Sequence, residues 1–337
     1  MKIRFSLWLM LAAVAGVVTL ALWQPAARKP IAAASQPVAA PPVAAGAVLP
    51  PGTRPAAPSA ASTTVTAPNQ ISAAVQVIVD GSSSFQACEQ AIKSLGGQKL
   101  SDADRKALYD YLRQPGAHDD QQVTQVLKNE LMDALCTVQP PPPGLRELLT
   151  QIQQNAGEDE VLRDYAVQHL SAFYRQMSSA AGLDATFQAA ELQQTRQTLF
   201  DALGQTDTSM AGTALLGLSQ LAQSGWPGVD AGQISAAALK LAENENAGEL
   251  TRITAFQVCA NLKTQDALPA ILNAAQSGQT VPVQISAIAA LGALGDASQI
   301  PWLNSLIQDG NNDRLRLPAQ HALSQIASRL QPSSRLH

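Results

Sequence analysis

The fold class that the sequence predicts is all-α, an extended array of stacked helical hairpins. Three observations lead there. Of 337 residues, 46% are hydrophobic but only 4% aromatic, so the core must be built from Ala, Leu, Val and Ile. Small aliphatic side chains at close spacing suit packed helices better than sheets, which favour β-branched and aromatic residues in alternation. The C-terminal end repeats itself: DALPAILNAAQSG (266–278) aligns with SQIPWLNSLIQDG (298–310) at a period of 32, placing Pro269 on Pro301, Ile271 on Leu303 and Gly278 on Gly310. Within the next segment, Val283, Ala287, Ala290, Leu291 and Leu294 recur at helical spacing and form one apolar stripe.

Taken from the N-terminus, Lys2 and Arg4 precede 19 uncharged residues, Phe5 to Trp23. A signal-peptide core is usually ~7–15 residues and a spanning helix needs roughly 17–25, so the length favours an uncleaved signal-anchor over residues 1–23. Ala32-Ala33-Ala34 offers a cleavage site as the alternative, which would release a secreted protein. Either way the bulk of the chain is expected outside the cytoplasm, in the periplasm or cell envelope.

Residues 24–70 carry ten prolines and, after Lys29, a single charge, Arg54. Proline at this density removes backbone donors and favours polyproline-like segments, so this stretch is expected to be a disordered Pro/Ala-rich linker. Extended at about 3.1 Å per residue, it would reach on the order of 100 Å.

Residues 71–100 are expected to cap the array, with SSFQACEQAIKSLG (83–96) helical and ISAAVQVIV (71–79) either a strand or part of the cap. An end repeat must cover apolar surface that a neighbour would otherwise bury. In LSDADRKALYDYLRQPG (100–116), Ser101 is the expected N-cap, with Asp102 and Asp104 at the positive helix end.

Residues 101–330 form the repeat array, and 331–337 a short tail. LRLPAQHALSQI (315–326) and VQISAIAALGALGD (283–296) match at 32 residues, with Ala287 falling on Ala319. TRITAFQVCANL (251–262) lies one period earlier, VLRDYAVQHL (161–170) and VLKNELMDAL (126–135) further upstream, and MAGTALLGL (210–218) is a weaker copy. Positions 131, 166, 214, 255, 287 and 319 align, one in each second helix; the 48-residue step between 166 and 214 accommodates a longer first helix around 186–204. Pro282 suits a first helical turn, where its missing N–H is not needed. Gly292 costs roughly 1 kcal/mol of helix propensity, tolerable where it relieves close packing.

This pattern resembles the HEAT-repeat family, in particular the short HEAT-like repeats found in phycobilisome lyases, whose second helices carry (V/L)-R-x-x-A-x-x-A-L-G-x-L-G-D. The resemblance covers roughly 100–330 and is most specific in the last two repeats; Gln284 stands where the family usually has Arg. It implies a right-handed α-solenoid whose concave face is lined by second helices.

The net charge is −4 and no run of Lys or Arg exceeds two residues, which excludes nucleic-acid binding through a basic face. The four histidines, His118, His169, His321 and His337, do not cluster. The His-Glu pairs that hold iron in HEAT-repeat hydroxylases have no counterpart, since Asp119, Leu170 and Ala322 follow the first three. His118-Asp119-Asp120 reads as a turn with helix-capping residues. There is no Cys-x-x-Cys, G-x-S-x-G or phosphate loop. No catalytic residue, metal, cofactor or other small molecule is therefore expected.

Cys88 and Cys136 are candidates for one disulfide in an oxidising compartment, or, with Cys259, three small buried hydrophobes. Arg163 occupies the repeat's Arg slot, where it would tie one repeat to another through an acidic residue of a preceding turn. Tyr165 and His169, four apart on a helix, join it as the candidate partner-contact patch, with Arg252 and Arg316 in the same slot of later repeats. Abundant Gln, for instance Gln121, Gln122 and Gln125, gives polar outer faces suited to solvation, or to peptide or glycan contact. The expected function is a membrane-tethered, non-enzymatic scaffold holding a protein or peptide partner. The alternatives are an enzyme or chromophore-attachment factor, as the lyase resemblance implies, or a glycan-binding envelope protein.

Overall fold

The computed structural model describes residues 70–114, 120–276, 278–309 and 313–331. The expected anchor and nearly all of the linker, His118, Asp119, Gly310 and His337 lie outside the described residues. Among the described residues no helix is long and apolar enough to cross a membrane.

All regular structure described is helical. Fourteen α-helices alternate as first and second members of hairpins: α1 (Ala73–Val79) and α2 (Phe85–Ser94), α3 (Asp102–Arg113) and α4 (Gln121–Thr137), α5 (Leu145–Gln154) and α6 (Glu160–Ser179), α7 (Ala185–Ala202) and α8 (Met210–Gln223), α9 (Ala231–Glu243) and α10 (Glu249–Leu262), α11 (Leu268–Gln276) and α12 (Val281–Leu294), α13 (Ile300–Gln308) and α14 (Asp313–Leu330). Each second helix packs on the next, from α2 through α14, the arrangement of an α-solenoid. The 48-residue step is accounted for by the 20-residue α6 and the 18-residue α7.

The start of the array resolves the open choice at 71–79: Ala73–Val79 is a helix. Ser72 caps it, accepting from Val75 N–H, while its own N–H donates to Asp104 Oδ1 at 2.7 Å. Ser101 caps α3 as expected, accepting from Asp104 N–H at 3.0 Å. Asp104 thus joins the first two hairpins.

The aligned positions Leu131, Ala166, Ala214, Ala255, Ala287 and Ala319 are all 0% exposed, and Cys88 takes the same place in α2. Four residues on, Ile92, Leu135, Leu170, Leu218, Cys259 and Leu291 continue the stripe, all buried. Glycines permit close helix approaches. A Cβ on Gly217 of α8 would lie 2.1 Å from Ser171 Oγ of α6, and one on Gly292 of α12 would lie 2.9 Å from Ala322 Cα of α14. Gly292 therefore trades helix propensity for packing.

Three residues before the aligned position, the repeat's cation holds neighbouring hairpins together. Lys128 Nζ donates to Gln114 O and pairs with Glu158 at 3.6 Å. Arg163 Nε donates to Gln153 O at 3.0 Å and its Nη2 to Gln205 Oε1 at 3.1 Å. Arg252 Nη1 donates to Gln279 Oε1 at 2.7 Å, with the guanidinium 5.6 Å from the Phe256 ring centre. The expected tie is present, but it runs forward to the turn of the following repeat, and two of the three partners there are neutral amides. In α8 the slot is Ala211; there Thr251 Oγ1 donates to Thr208 O and Gly248 N–H to Thr206 O instead. Arg316, in the last described helix, is exposed and pairs with Asp313 one turn away.

The possible Cys88–Cys136 disulfide is not formed. All three cysteines are free and buried. Cys88 Sγ faces Val77 O and Cys136 Sγ faces His169 O, each inside its own helix packing. Burial pushes the Cys136 and Cys259 thiols up to about 12, so they behave as small hydrophobes.

Candidate functional site

The decapeptide 161–170 opens α6, with Asp159 as the cap accepting from Val161 and Leu162 N–H. Helical spacing sends its polar residues in different directions. Arg163 turns to the hairpin ends, as described. Asp164 is buried; burial raises its carboxyl, and hydrogen bonds from Thr213 of α8 and its cap Ser209 pull the other way. Tyr165 is half-buried and Gln168 exposed.

His169 is 4% exposed and stands three residues after the aligned Ala166, where other repeats place Ala134, Gly217, Val258, Ala290 and Ala322. An imidazole thus fills a slot that most repeats keep small for the preceding second helix. It is accommodated because Asn129 of α4 lies opposite: His169 Nε2 donates to Asn129 Oδ1 at 2.9 Å. Burial lowers its pKa to about 4, with Asp133 pulling weakly the other way, so the ring is neutral at pH 7.

A groove of about 450 Å³ lies across α2, α4 and α6, with Lys93, Glu130, Asp133, Thr137, Gln168 and His169 in its lining. Lys93 is paired with Glu89. Burial, then the charges of Glu89 and Asp133, raise the Glu130 carboxyl. A smaller cavity, about 290 Å³, surrounds the Lys128–Glu158 pair. Among the described residues no group of His, Cys, Asp and Glu has the geometry to hold a metal ion.

The five residues singled out from sequence do not form one patch. Arg163, Tyr165 and His169 share α6, Arg252 is 3% exposed inside α10, and Arg316 lies on α14. Only His169 reaches the groove, beside Asp133 and Glu130; Tyr165 does not line it.

Sequence reasoning passed over a different feature. Counting from each aligned position, residues five and one before it and two and six after it lie on the outward side of the second helix. In α6 these are Val161, Tyr165, Gln168 and Ala172; in α8, Ser209 (its N-cap), Thr213, Leu216 and Gln220; in α10, Leu250, Thr254, Gln257 and Asn261; in α12, Pro282, Ser286, Ala289 and Ala293. All sixteen are at least partly exposed and none is charged. Val161 and Leu250 are 42% and 43% exposed, and Val126 extends their row onto α4 at 39%. The signal was present in the sequence as an absence of charge at fixed register, which a search for reactive residues does not see.

Residues 235–324 match HEAT repeats. The match spans α9 to α14 and supports a HEAT-repeat family for the array, in agreement with the register read from sequence. No curated protein matches the chain. Among solved structures, human deoxyhypusine hydroxylase in complex with glycerol is similar, at 17% identity over 76% of this chain and 95% of that one, with a TM-score of 0.30. Nothing about activity passes between chains at that similarity.

Proposed function

We propose that the chain is a non-enzymatic HEAT-repeat scaffold, a right-handed solenoid held outside the cytoplasmic membrane by residues 1–23 and the 24–70 linker. Its second helices line a concave face that holds a protein or peptide partner. The observation that carries this reading is the continuous exposed face of α6, α8, α10 and α12. None of its sixteen positions is charged, Arg163 and Arg252 being held in ties to the following repeat, while Val161, Leu216, Leu250 and Pro282 stay accessible. Exposed apolar side chains aligned on an uncharged surface are a mark of interaction sites. Stacked repeats offer long shallow surfaces rather than closed pockets, which suits polypeptide partners.

The test places a photo-crosslinking residue at Gln257 on the second-helix face, and separately at Gln194 on α7, in the full chain within its native envelope. A discrete protein adduct from Gln257 and none from Gln194 is the expected result. Equal labelling from both positions, or labelling from Gln194 alone, would overturn the assignment.

A further inference from the structure

Resting on that scaffold reading, we infer that the occupant of the second-helix face is an extended, uncharged polypeptide segment of polyproline-II type, lying across α6, α8, α10 and α12. Three features of the face select it. The first is charge. A Lys or Glu side chain lying along the sixteen neutral positions would meet a counter-charge only at their margins, where Lys93, Glu130 and Asp133 stand beside Gln168 and Lys263 reaches Ala293, so segments charged along their length are disfavoured.

The second is hydrogen bonding. Gln168, Gln220, Gln257 and Asn261 present carboxamides that have no partner among the described residues. Each offers one acceptor and two donors, the complement of a peptide group. A polyproline-II backbone has no internal hydrogen bonds, and its carbonyls, including those preceding proline, remain free to accept. A helical segment has already used its own.

The third is spacing. Packed helices lie about 8–10 Å apart, and the glycine contacts between α6 and α8, and between α8 and α10 where a Cβ on Gly212 would meet Thr251 Cα at 3.2 Å, keep these helices close. A polyproline-II chain presents the same side every three residues, about 9 Å on, so equivalent side chains would meet successive helices in register. A β-strand repeats every two residues, about 7 Å, and falls out of step. The outermost row, Val161, Ser209, Leu250 and Pro282, then supplies small or apolar contacts to Pro, Ala or Val side chains. A neutral glycan fits less well: sugar rings stack on aromatic faces, and Tyr165 is the only aromatic among the sixteen positions.

The experiment titrates the full chain in neutral detergent with a blocked peptide of four Pro-Ala-Val triplets bearing an uncharged dye, read by fluorescence anisotropy. Parallel probes carry Glu or Lys at every third residue, and a neutral oligosaccharide serves as competitor. Saturable binding of the neutral peptide is expected. It should weaken about tenfold in Gln168→Ala/Gln257→Ala, from loss of two hydrogen bonds, and at least as much in Leu216→Glu; Gln194→Ala on α7 should not change it. The charged probes should bind at least tenfold more weakly.

If a charged probe binds as tightly as the neutral one and is lost in Leu216→Glu, the inferred occupant is wrong while the face remains a binding site. Displacement by the oligosaccharide would reassign the face to glycan. Binding that is indifferent to Leu216→Glu would place the peptide elsewhere and overturn the inference. Absence of binding by every probe overturns it as well, and the crosslinking at Gln257 then decides the scaffold reading by itself.

Discussion

His169 makes the stability of the array depend on pH in a way that one substitution should remove. The imidazole is nearly fully buried, with Asn129 as its hydrogen-bond partner, and its pKa falls from 6.5 to about 4 on folding. A histidine whose folded pKa is depressed stabilises the fold above its unfolded pKa, and that stability is lost as pH falls from 6.5 toward 4, because the unfolded chain takes up the proton first. The full drop corresponds to about 3 kcal/mol, of which about 2 kcal/mol should be lost between about pH 7.5 and pH 5.

The perturbation is His169→Ala, which restores the residue that other repeats carry at this position, as Ala134, Ala290 and Ala322 show. It should cost about 1–3 kcal/mol at neutral pH through the lost contact and hydrogen bond. More tellingly, it should flatten the pH dependence by about 2 kcal/mol relative to wild type. The groups facing His169 across the groove, Asp133, Glu130 and Lys93, are present in both proteins, so the difference isolates the imidazole. The assay is urea denaturation followed by far-ultraviolet circular dichroism at both pH values. Equal pH dependence in the two proteins would refute the reasoning.

Three further outcomes follow from the packing. Arg163→Ala should lower stability by about 1–3 kcal/mol in chemical denaturation, since it breaks two charge-assisted hydrogen bonds, one within its hairpin to Gln153 and one to Gln205 of the next, whereas Arg316→Ala, whose pair is exposed, should stay within about 0.5 kcal/mol. Gly217→Ala should destabilise by about 1–3 kcal/mol through its clash with Ser171, and adding Ser171→Ala should recover part of that loss; a double-mutant cycle with no coupling would contradict the close approach of α6 and α8. Cys88, Cys136 and Cys259 should resist a thiol-specific reagent in the native protein and react together on unfolding; rapid labelling of the native chain would contradict their burial.

Much of the repeat register was legible in the sequence because an apolar stripe at helical spacing has to face a neighbouring helix. The six positions aligned along that stripe are all fully buried. The identity of residues 71–79 was less legible: a short apolar run suits strand or helix alike, and the choice was settled by the Ser72 cap and its bond to Asp104 of a helix 32 residues away. The direction of the Arg163 tie was hidden for a similar reason. Its partner Gln205 lies past a helix of unusual length, and nothing local marks an amide as the acceptor.

The sequence by itself determined that this chain is a run of helical hairpins and where each second helix turns inward, because burial of a periodic stripe is a local property repeated along the chain. It also contained the uncharged outward rows, which acquire meaning only when α6, α8, α10 and α12 are stacked side by side. The tertiary structure alone decided which polar residues are used up in holding repeats together and which stay free. Arg163 reads as a tie, but to an acidic residue of a preceding turn, until the following repeat brings Gln205 to it; Arg252, which meets Gln279, and His169, over which Asn129 of the preceding helix closes, read as candidate contact residues. Such pairings depend on how closely successive hairpins approach, a distance set by small residues such as Gly217 and Gly292 meeting partners 46 and 30 residues away, at Ser171 and Ala322.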